Sequence, residues 1–182
     1  MKPRDIPNML CVLRMAMALP IGWLIVEEQY GWAVATFVFA GATDGLDGLL
    51  AKRLGWQSEL GALLDPIADK LLLVTAFVSL WVVGGVPAWL LATVVARDAI
   101  IIAGAIAYRR LIGPFVAAPT LVSKLNSVAQ LLFVTLALAH LATGRFDSQF
   151  LYGLEWAVLA TTIMSGVDYV VTWTRRARAA RT

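Results

Sequence analysis

The sequence predicts an all-α membrane protein that crosses the bilayer six times, with both termini in the cytoplasm. Three observations lead to this fold class. The chain is 60% hydrophobic but only 15% charged, whereas a soluble domain is roughly a quarter charged. Its apolar residues fall into six long runs, and its basic residues gather at alternate breaks between those runs. We therefore expect one membrane domain over residues 1–182.

Each apolar run is long enough to cross a hydrocarbon core of about 30 Å as a helix of roughly 18–25 residues. The breaks between the runs carry charges or turn-forming residues, as at Glu27-Glu28 and Gly84-Gly85-Val86-Pro87. The predicted spans are 8–26, 31–51, 60–82, 86–108, 122–142 and 149–173.

The basic residues predict the orientation of the spans, because cytoplasmic loops carry an excess of Lys and Arg. Six spans place both termini on one side, and only Arg145 falls in a loop on the other side. We therefore assign the basic side to the cytoplasm and expect the inner membrane of a bacterium. The basic residues on that side are Lys2, Arg4, Lys52, Arg53, Arg109, Arg110, Lys124, Arg175, Arg176, Arg178 and Arg181.

Four aspartates lie on the second and third predicted spans. Asp44 and Asp47 are three residues apart, and Asp65 and Asp69 are four apart, so each pair shares one face of a helix. Carboxylates inside a membrane are costly and indicate function. Four of them need cations, and Mg²⁺ and Mn²⁺ prefer oxygen ligands. Two such ions can hold a diphosphate during a displacement, but a proton or cation pathway in a transporter is the alternative.

Glycines and basic residues adjoin these aspartates. Gly45, Gly48 and Gly61 lie within about one helical turn of a carboxylate, where a missing side chain lets a bulky ligand approach the backbone. Lys52 and Arg53 lie at the cytoplasmic mouth, where they either contact phosphate oxygens or anchor the chain at the membrane surface. The pattern favours metal-assisted phosphoryl chemistry on a lipid substrate, with no nucleic-acid partner.

The stretch from Asp44 to Asp69 resembles the signature of the CDP-alcohol phosphatidyltransferase family. That signature is Asp, two residues, Asp-Gly, two residues, Ala-Arg, eight residues, Gly, three residues, Asp, three residues, Asp. Lys52 stands at the family's arginine and lacks its bidentate fork. Every spacing is kept by Asp44, Asp47-Gly48, Ala51-Lys52, Gly61, Asp65 and Asp69.

The resemblance implies a six-helix membrane enzyme, usually a homodimer, that transfers the phosphatidyl group of CDP-diacylglycerol to an alcohol and releases CMP. It implies two divalent metals, Mg²⁺ or Mn²⁺, held by the four aspartates, with Asp69 also acting as general base. It places Gly48 and Gly61 at the cytidine pocket. The further candidates for CDP-diacylglycerol binding are Lys52, Arg53 and Asn8, with Asn8 as a helix cap the alternative.

Residues outside the signature suggest the acceptor. Ile6-Pro7-Asn8-Met9-Leu10 with Arg14 resembles the start of both the phosphatidylglycerophosphate synthase and the cardiolipin synthase branches of the family. Arg97-Asp98 and the segment 119–130 look most like the eukaryotic-type cardiolipin synthases. Family members that use glycerol-3-phosphate typically have two lysines where this chain has Lys124 and Asn126. One lysine and one amide suit phosphatidylglycerol, which carries a phosphodiester instead of a phosphate dianion. We therefore predict phosphatidylglycerol as acceptor, giving cardiolipin, with glycerol-3-phosphate as the alternative.

The predicted acceptor-binding residues are Lys124, Asn126 and Arg97, and two of them have a structural alternative. Lys124 can instead anchor the chain at the membrane surface. Arg97, like Arg14, can be paired within the helix bundle, and its expected partner is then a carboxylate on another span.

Overall fold

The computed structural model describes residues 6–54, 59–111 and 120–179, and it describes side chains for residues 9–43, 67–108, 110 and 120–175. Over these ranges the chain forms six helices and no strand, which confirms the all-α prediction, and each predicted span corresponds to one helix. The helices are α1 (Ile6–Val26), α2 (Tyr30–Leu54), α3 (Glu59–Val82), α4 (Ala88–Leu111), α5 (Leu121–Thr143) and α6 (Ser148–Ala179).

Four of these helices are long and apolar enough to cross a membrane over the residues described: Met9–Val26, Ala88–Tyr108, Leu121–Thr143 and Ser148–Arg175. A shorter apolar stretch, Tyr30–Thr43, lies in α2. Large hydrophobic side chains, including Leu19 and Trp32, are exposed on the helices. Broad apolar surfaces of this kind suit a hydrocarbon environment, which supports a membrane protein.

Capping residues account for several helix ends. Thr120 caps α5, because its hydroxyl accepts a hydrogen bond from the Ser123 N–H at 3.2 Å. Asp147 caps α6 in the same way, accepting from the Gln149 N–H at 3.2 Å. Helix α3 is followed by Gly84, whose φ of 74° lies in the left-handed region that glycine adopts without steric strain.

The chain divides into two compact units. The first comprises Met1–Val86 and Val134–Phe146, and the second comprises Pro87–Phe133 and Asp147–Thr182. In the first unit α1 packs against α2 and α3, and in the second α4 packs against α6.

In the first unit α1 and α3 approach closely at Gly22. A Cβ atom there would lie 2.8 Å from Thr75 Cγ2 and 3.1 Å from Ser79 Oγ, so a larger residue requires the helices to shift. Eight residues before Gly22, Arg14 reaches Asp69 of α3. The contacts thus move to higher residue numbers on both helices, so α1 and α3 run in the same direction. Arg14 lies beside Asp69, the last residue of the stretch from Asp44 to Asp69.

In the second unit α4 and α6 also run in the same direction. Their contacts advance along both helices, from the Trp89 and Trp156 rings, whose centroids are 5.6 Å apart, to the Tyr108 and Trp173 rings at 4.8 Å. Between these pairs, Arg97 of α4 bonds to a serine of α6. The pairing places polar residues of both helices in one buried cluster.

Candidate functional site

The aspartates of the signature lie on two successive helices of the first unit. Asp44 and Asp47 belong to the C-terminal half of α2, and Asp65 and Asp69 belong to the first half of α3. The structure describes the side chain of Asp69. The predicted site residues of this stretch whose side chains lie outside the described set are Asp44, Asp47, Gly48, Lys52, Arg53, Gly61 and Asp65.

Asp69 forms an ion pair with Arg14. Nη1 of Arg14, on α1, donates to Oδ1 of Asp69. The Arg14 side chain is 1% exposed, whereas 47% of the Asp69 side chain is exposed. A buried guanidinium needs an acidic partner, and Asp69 supplies it. Pairing of Arg14 within the bundle is confirmed, and its partner is the predicted general base.

The carboxylate of Asp69 is suited to a hard divalent cation. It is an oxygen ligand, it contacts the guanidinium of Arg14, and nearly half of it is exposed. Among the described side chains, no three His, Cys, Asp or Glu residues converge on a metal site, but Asp44, Asp47 and Asp65 are not among those side chains. The donor set of the signature therefore fits two divalent ions in its chemistry, and the metal site stays a prediction.

Asn8 does not cap α1. The helix begins at Ile6, so Asn8 lies inside its first turn and not at the residue before it. The interpretation of Asn8 as a helix cap is therefore wrong, because the helix starts two residues earlier than the apolar run indicated. Its side chain lies outside the described residues, and contact with CDP-diacylglycerol stays a prediction.

Arg97 lies at the centre of a polar cluster in the second unit. Its Nη1 donates to Asp98 Oδ1 at 2.7 Å, and its Nη2 donates to Ser123 Oγ at 2.7 Å and to Ser165 Oγ at 2.6 Å. It thereby links α4 to the start of α5 and to α6. The prediction that Arg97 pairs with a carboxylate on another span is wrong. Asp98, the next residue along α4, supplies the carboxylate, and serine hydroxyls accept hydrogen bonds from other donors of Arg97.

The other two predicted acceptor residues lie in the first two turns of α5. Lys124 is exposed. Asn126 is fully buried, and its Oδ1 accepts a hydrogen bond from the Thr162 hydroxyl of α6 at 2.9 Å. The second unit thus contains Arg97, Lys124 and Asn126, with two of them engaged in buried hydrogen bonds.

Sequence reasoning missed the hydroxyl residues Thr162 and Ser165. The available signal was spacing, because Val158, Thr162 and Ser165 recur every three or four residues and share one face of α6. That signal is weak in a membrane helix, where a hydroxyl often bonds to its own backbone. The Thr93 hydroxyl, for example, donates to the Trp89 carbonyl at 2.8 Å.

A groove of about 610 Å³ runs along α4 and α6. Its wall is mainly apolar, with small residues such as Ala92, Ala96 and Gly166, and polar side chains from Arg97 and Thr162. No carboxylate is among the described residues that line it. The described lining of the groove thus offers no ligand for metal-assisted phosphoryl chemistry, and the stretch from Asp44 to Asp69 in the first unit is the better candidate.

Comparison with known proteins agrees with the signature. The family model for CDP-alcohol phosphatidyltransferase matches residues 4–171. The chain is 36% identical over 183 residues to human "Cardiolipin synthase (CMP-forming)", covering 92% of this chain and 61% of that protein. It is 35% identical over 184 residues to "CDP-diacylglycerol--glycerol-3-phosphate 3-phosphatidyltransferase 1, chloroplastic" of Oryza sativa subsp. japonica, covering 91% of this chain and 56% of that protein.

A further relative, from Pseudomonas fluorescens, is named "CDP-diacylglycerol--glycerol-3-phosphate 3-phosphatidyltransferase" and is 46% identical over 80 residues, which is 42% of this chain and 40% of that protein. The chain spans about six tenths of the length of the human and rice relatives. One name gives cardiolipin as a product and the others give glycerol-3-phosphate as a substrate, so the relatives do not agree on one acceptor. The match over residues 4–171, which includes the whole stretch from Asp44 to Asp69, shows that the chain belongs to the CDP-alcohol phosphatidyltransferase family.

Proposed function

We propose that the chain transfers the phosphatidyl group of CDP-diacylglycerol to phosphatidylglycerol, producing cardiolipin and CMP. The observation that carries the proposal is the half-exposed carboxylate of Asp69, held by Arg14 at the last position of the family signature. A general base has to be ionised and within reach of the proton it removes. The charge of Arg14 and the exposure of Asp69 support both conditions.

In the proposed reaction Asp69 accepts the proton of the acceptor hydroxyl. The deprotonated oxygen bonds to the phosphorus that carries diacylglycerol, and the bond from that phosphorus to the oxygen bridging to CMP breaks. CMP leaves with the bridging oxygen, and no oxidation or reduction occurs. Arg14 fixes the orientation of Asp69. The residues proposed to contact CDP-diacylglycerol are Gly48 and Gly61 at the cytidine and Asn8, Lys52 and Arg53 at the phosphates.

We propose that Asp44, Asp47, Asp65 and Asp69 hold two divalent cations, Mg²⁺ or Mn²⁺. Such ions, when bound, neutralise the charge of the diphosphate and of the leaving CMP. The four carboxylates then remain ionised together, which like charges in a low-dielectric site would otherwise oppose. Addition of a chelator is expected to stop CMP release, and Mg²⁺ or Mn²⁺ is expected to restore it.

The choice of phosphatidylglycerol is supported by the second unit. Lys124 is exposed and carries one positive charge, while Asn126 is neutral and buried. One cation and one amide match the single charge of a phosphodiester better than the dianion of glycerol-3-phosphate. Because four hydrogen bonds of Arg97 already go to Asp98, Ser123 and Ser165, we propose that Arg97 positions the start of α5 instead of contacting the acceptor.

We also propose six membrane spans with both termini in the cytoplasm, in a bacterial inner membrane. The parallel directions of α1 and α3, and of α4 and α6, support this topology, because every second span must run the same way. The bias of basic residues to one side supports the orientation. The homodimer follows from the resemblance alone, and native mass spectrometry of the detergent-solubilised protein tests it.

The test of function is CMP release by the purified protein from CDP-diacylglycerol in mixed micelles with Mg²⁺ or Mn²⁺. With phosphatidylglycerol we expect CMP and cardiolipin in equal amounts. Release with glycerol-3-phosphate alone would overturn the acceptor assignment and support the synthesis of phosphatidylglycerophosphate, which the names of two relatives favour. No release with either alcohol would overturn the proposed enzymatic activity. The four aspartates would then be interpreted as the proton or cation pathway of a transporter.

A further inference from the structure

The groove along α4 and α6, within the second unit, is suited to an apolar occupant. Its volume of about 610 Å³ lies within the range of roughly 300–1,000 Å³ that ligand pockets occupy. The polar side chains in its described lining are already hydrogen-bonded within the protein. Arg97 bonds to an aspartate and two serines, the Thr162 hydroxyl bonds to an asparagine, and the Thr93 hydroxyl donates to a backbone carbonyl of its own helix.

The apolar side chains that line the groove are open to the surroundings of the protein. Ile100 of α4 and Ile163 and Val167 of α6 line it, and all three are exposed. Ala96 and Gly166 are small and leave space between the two helices. An exposed apolar surface of this kind marks a contact with another apolar body, and inside a membrane the surrounding material is the acyl chains of lipids.

Aromatic pairs at both ends of α4 and α6 place the groove within the hydrocarbon region. Trp89 and Trp156 pair at one end, and Tyr108 and Trp173 pair at the other. Trp and Tyr concentrate at the two membrane–water interfaces. Trp89 and Tyr108 are separated by about 29 Å of helix, close to the roughly 30 Å of a hydrocarbon core. The residues that line the groove fall between these two pairs along both helices.

Two exposed arginines lie just beyond one end of the groove. Arg175 follows the groove-lining Val171 by one turn of α6, so the two residues share a face and are separated by about 6 Å along the helix. Arg110 lies at the same end of the parallel helix α4 and is also exposed. Asp168, the acid nearest to Arg175 along α6, has a buried Oδ2 and does not line the groove. The groove thus combines an apolar length with a positively charged end.

We propose that the groove binds an anionic phospholipid, with one acyl chain between α4 and α6 and the phosphate at Arg110 and Arg175. The apolar length matches the chain, and the two arginines match the charge of the headgroup. A second copy of this chain is a poorer match. Two copies in one membrane have the same orientation, so a two-fold contact at the groove would bring the arginines of both copies to one level, where like charges repel.

The charge of the proposed lipid is tested by native mass spectrometry of the detergent-solubilised protein. Dioleoylphosphatidylserine is the anionic probe, and dioleoylphosphatidylcholine has the same acyl chains without net charge. We expect wild type to bind phosphatidylserine about tenfold more tightly than phosphatidylcholine, as two arginines near an anionic headgroup can provide. The double variant Arg110→Gln/Arg175→Gln should lose this difference. Arg145→Gln, which replaces an exposed arginine outside α4 and α6, is the control and should keep it.

The position of the acyl chain is tested by filling the groove. Ala96 lines the groove and is exposed, so Ala96→Phe places a ring in the groove without replacing a core residue. We expect it to weaken the binding of both lipids about tenfold, the equivalent of about two buried methylene groups. Val95→Phe is the matched control, because Val95 is exposed on α4 but does not line the groove, and it should leave binding within about twofold of wild type.

Three results would overturn the proposal. Equal binding of the two lipids by wild type, or unchanged binding of phosphatidylserine by Arg110→Gln/Arg175→Gln, would show that the arginines select no anionic lipid. Unchanged lipid binding by Ala96→Phe would remove the groove as the site, and a dimer that this variant separates would make the groove an interface between copies. If Ala96→Phe does not fold, the arginine variant still decides the proposal.

The inference goes beyond the proposed reaction and fails separately from it. Lipid binding is measured without CDP-diacylglycerol, and the headgroup of phosphatidylserine has no free hydroxyl to act as an acceptor. Loss of CMP release with every alcohol would therefore leave the lipid site standing, and equal binding of the two probe lipids would leave the proposed reaction standing.

Discussion

Two buried arginines of this chain are neutralised in different ways. Arg14, in the first unit, pairs with Asp69 on another helix, and 47% of the Asp69 side chain stays exposed. Arg97, in the second unit, pairs with the next residue, Asp98, whose side chain is only 13% exposed. Hydroxyls of Ser123 and Ser165 accept from the other donors of Arg97.

The difference separates a pair with a half-exposed carboxylate, which we propose as the general base, from a pair that holds helices together. The carboxylate of Asp69 contacts Arg14 and is nearly half exposed, as the proposed roles of general base and metal ligand require. The carboxylate of Asp98 is enclosed, and its arginine joins three helices of the second unit. In the sequence both are arginines within apolar runs, so the distinction lies in which acid each one meets and how far that acid is exposed.

The largest expected effect is the loss of turnover when the exposed acid is neutralised. Asp69→Asn is expected to lower kcat at least about a hundredfold, because an amide cannot accept the hydroxyl proton. Asp98→Asn is the matched control in the second unit and is expected to keep kcat within about threefold. CMP release and binding of CDP-diacylglycerol are measured for both. Equal losses of kcat in the two variants would remove the distinction between the pairs.

A smaller loss of turnover is expected when Arg14 no longer orients the base. Arg14→Met is expected to lower kcat by roughly tenfold to a hundredfold, as misplacement of a catalytic group by about 1 Å can do. Arg14→Lys keeps the charge without the planar fork and should fall between Arg14→Met and wild type. The measurement is kcat at saturating CDP-diacylglycerol, and wild-type turnover in Arg14→Met would show that Asp69 needs no support.

For stability we expect the opposite order, with a larger loss from replacing Arg97 than from replacing Arg14. Arg97→Met removes the guanidinium that pairs with the enclosed Asp98 carboxylate and should lower the free energy of unfolding by about 3 kcal/mol. Arg14→Met leaves Asp69 half exposed, where solvent or a cation can compensate its charge, so its loss should be smaller. Thermal unfolding of both variants in one detergent gives the comparison. A larger loss in Arg14→Met would contradict the view that the enclosed pair is the structural one.

The smallest expected effect concerns the packing that brings α1 to α3. Gly22→Ala places a methyl group 2.8 Å from Thr75 Cγ2, and overpacking of this kind costs roughly 1–3 kcal/mol. Gly153→Ala is the control, since nothing lies within 4 Å of a Cβ there, and it should be neutral or stabilise α6 by up to about 1 kcal/mol. Thermal unfolding measures both, and equal melting temperatures would show that the helices are not in close contact at Gly22.

The sequence determines the helices well because each one is a long apolar run between turn signals. The least accurate boundary is the end of α6, which reaches Ala179 instead of residue 173. Apolar character stops near 173, but the following Thr-Arg-Arg-Ala-Arg-Ala is rich in Arg and Ala, which favour helix. The start of α4 at Ala88 follows from Pro87, whose carbonyl accepts the first backbone bonds of that helix.

The partners of the polar residues were not predictable in the same way. Periodicity gives the face on which Arg14 lies but not which helix adjoins that face, and Arg14 and Asp69 are 55 residues apart. Four aspartates were equivalent partners for it by sequence. Thr162 and Ser165 carry hydroxyls of the kind that commonly bond to their own helix backbone. Their contacts with Asn126 and Arg97 therefore emerge only from the tertiary structure.

The proposed reaction requires the oxygen of the acceptor hydroxyl to bond to the phosphorus of CDP-diacylglycerol that carries diacylglycerol, with CMP as the leaving group. Phosphatidylglycerol labelled with ¹⁸O in the terminal hydroxyl of its headgroup tests this claim in the wild-type protein. We expect every cardiolipin molecule formed to carry the label, CMP to carry none, and the two products to appear in equal amounts. Label in CMP, or cardiolipin formed without CMP, would contradict it.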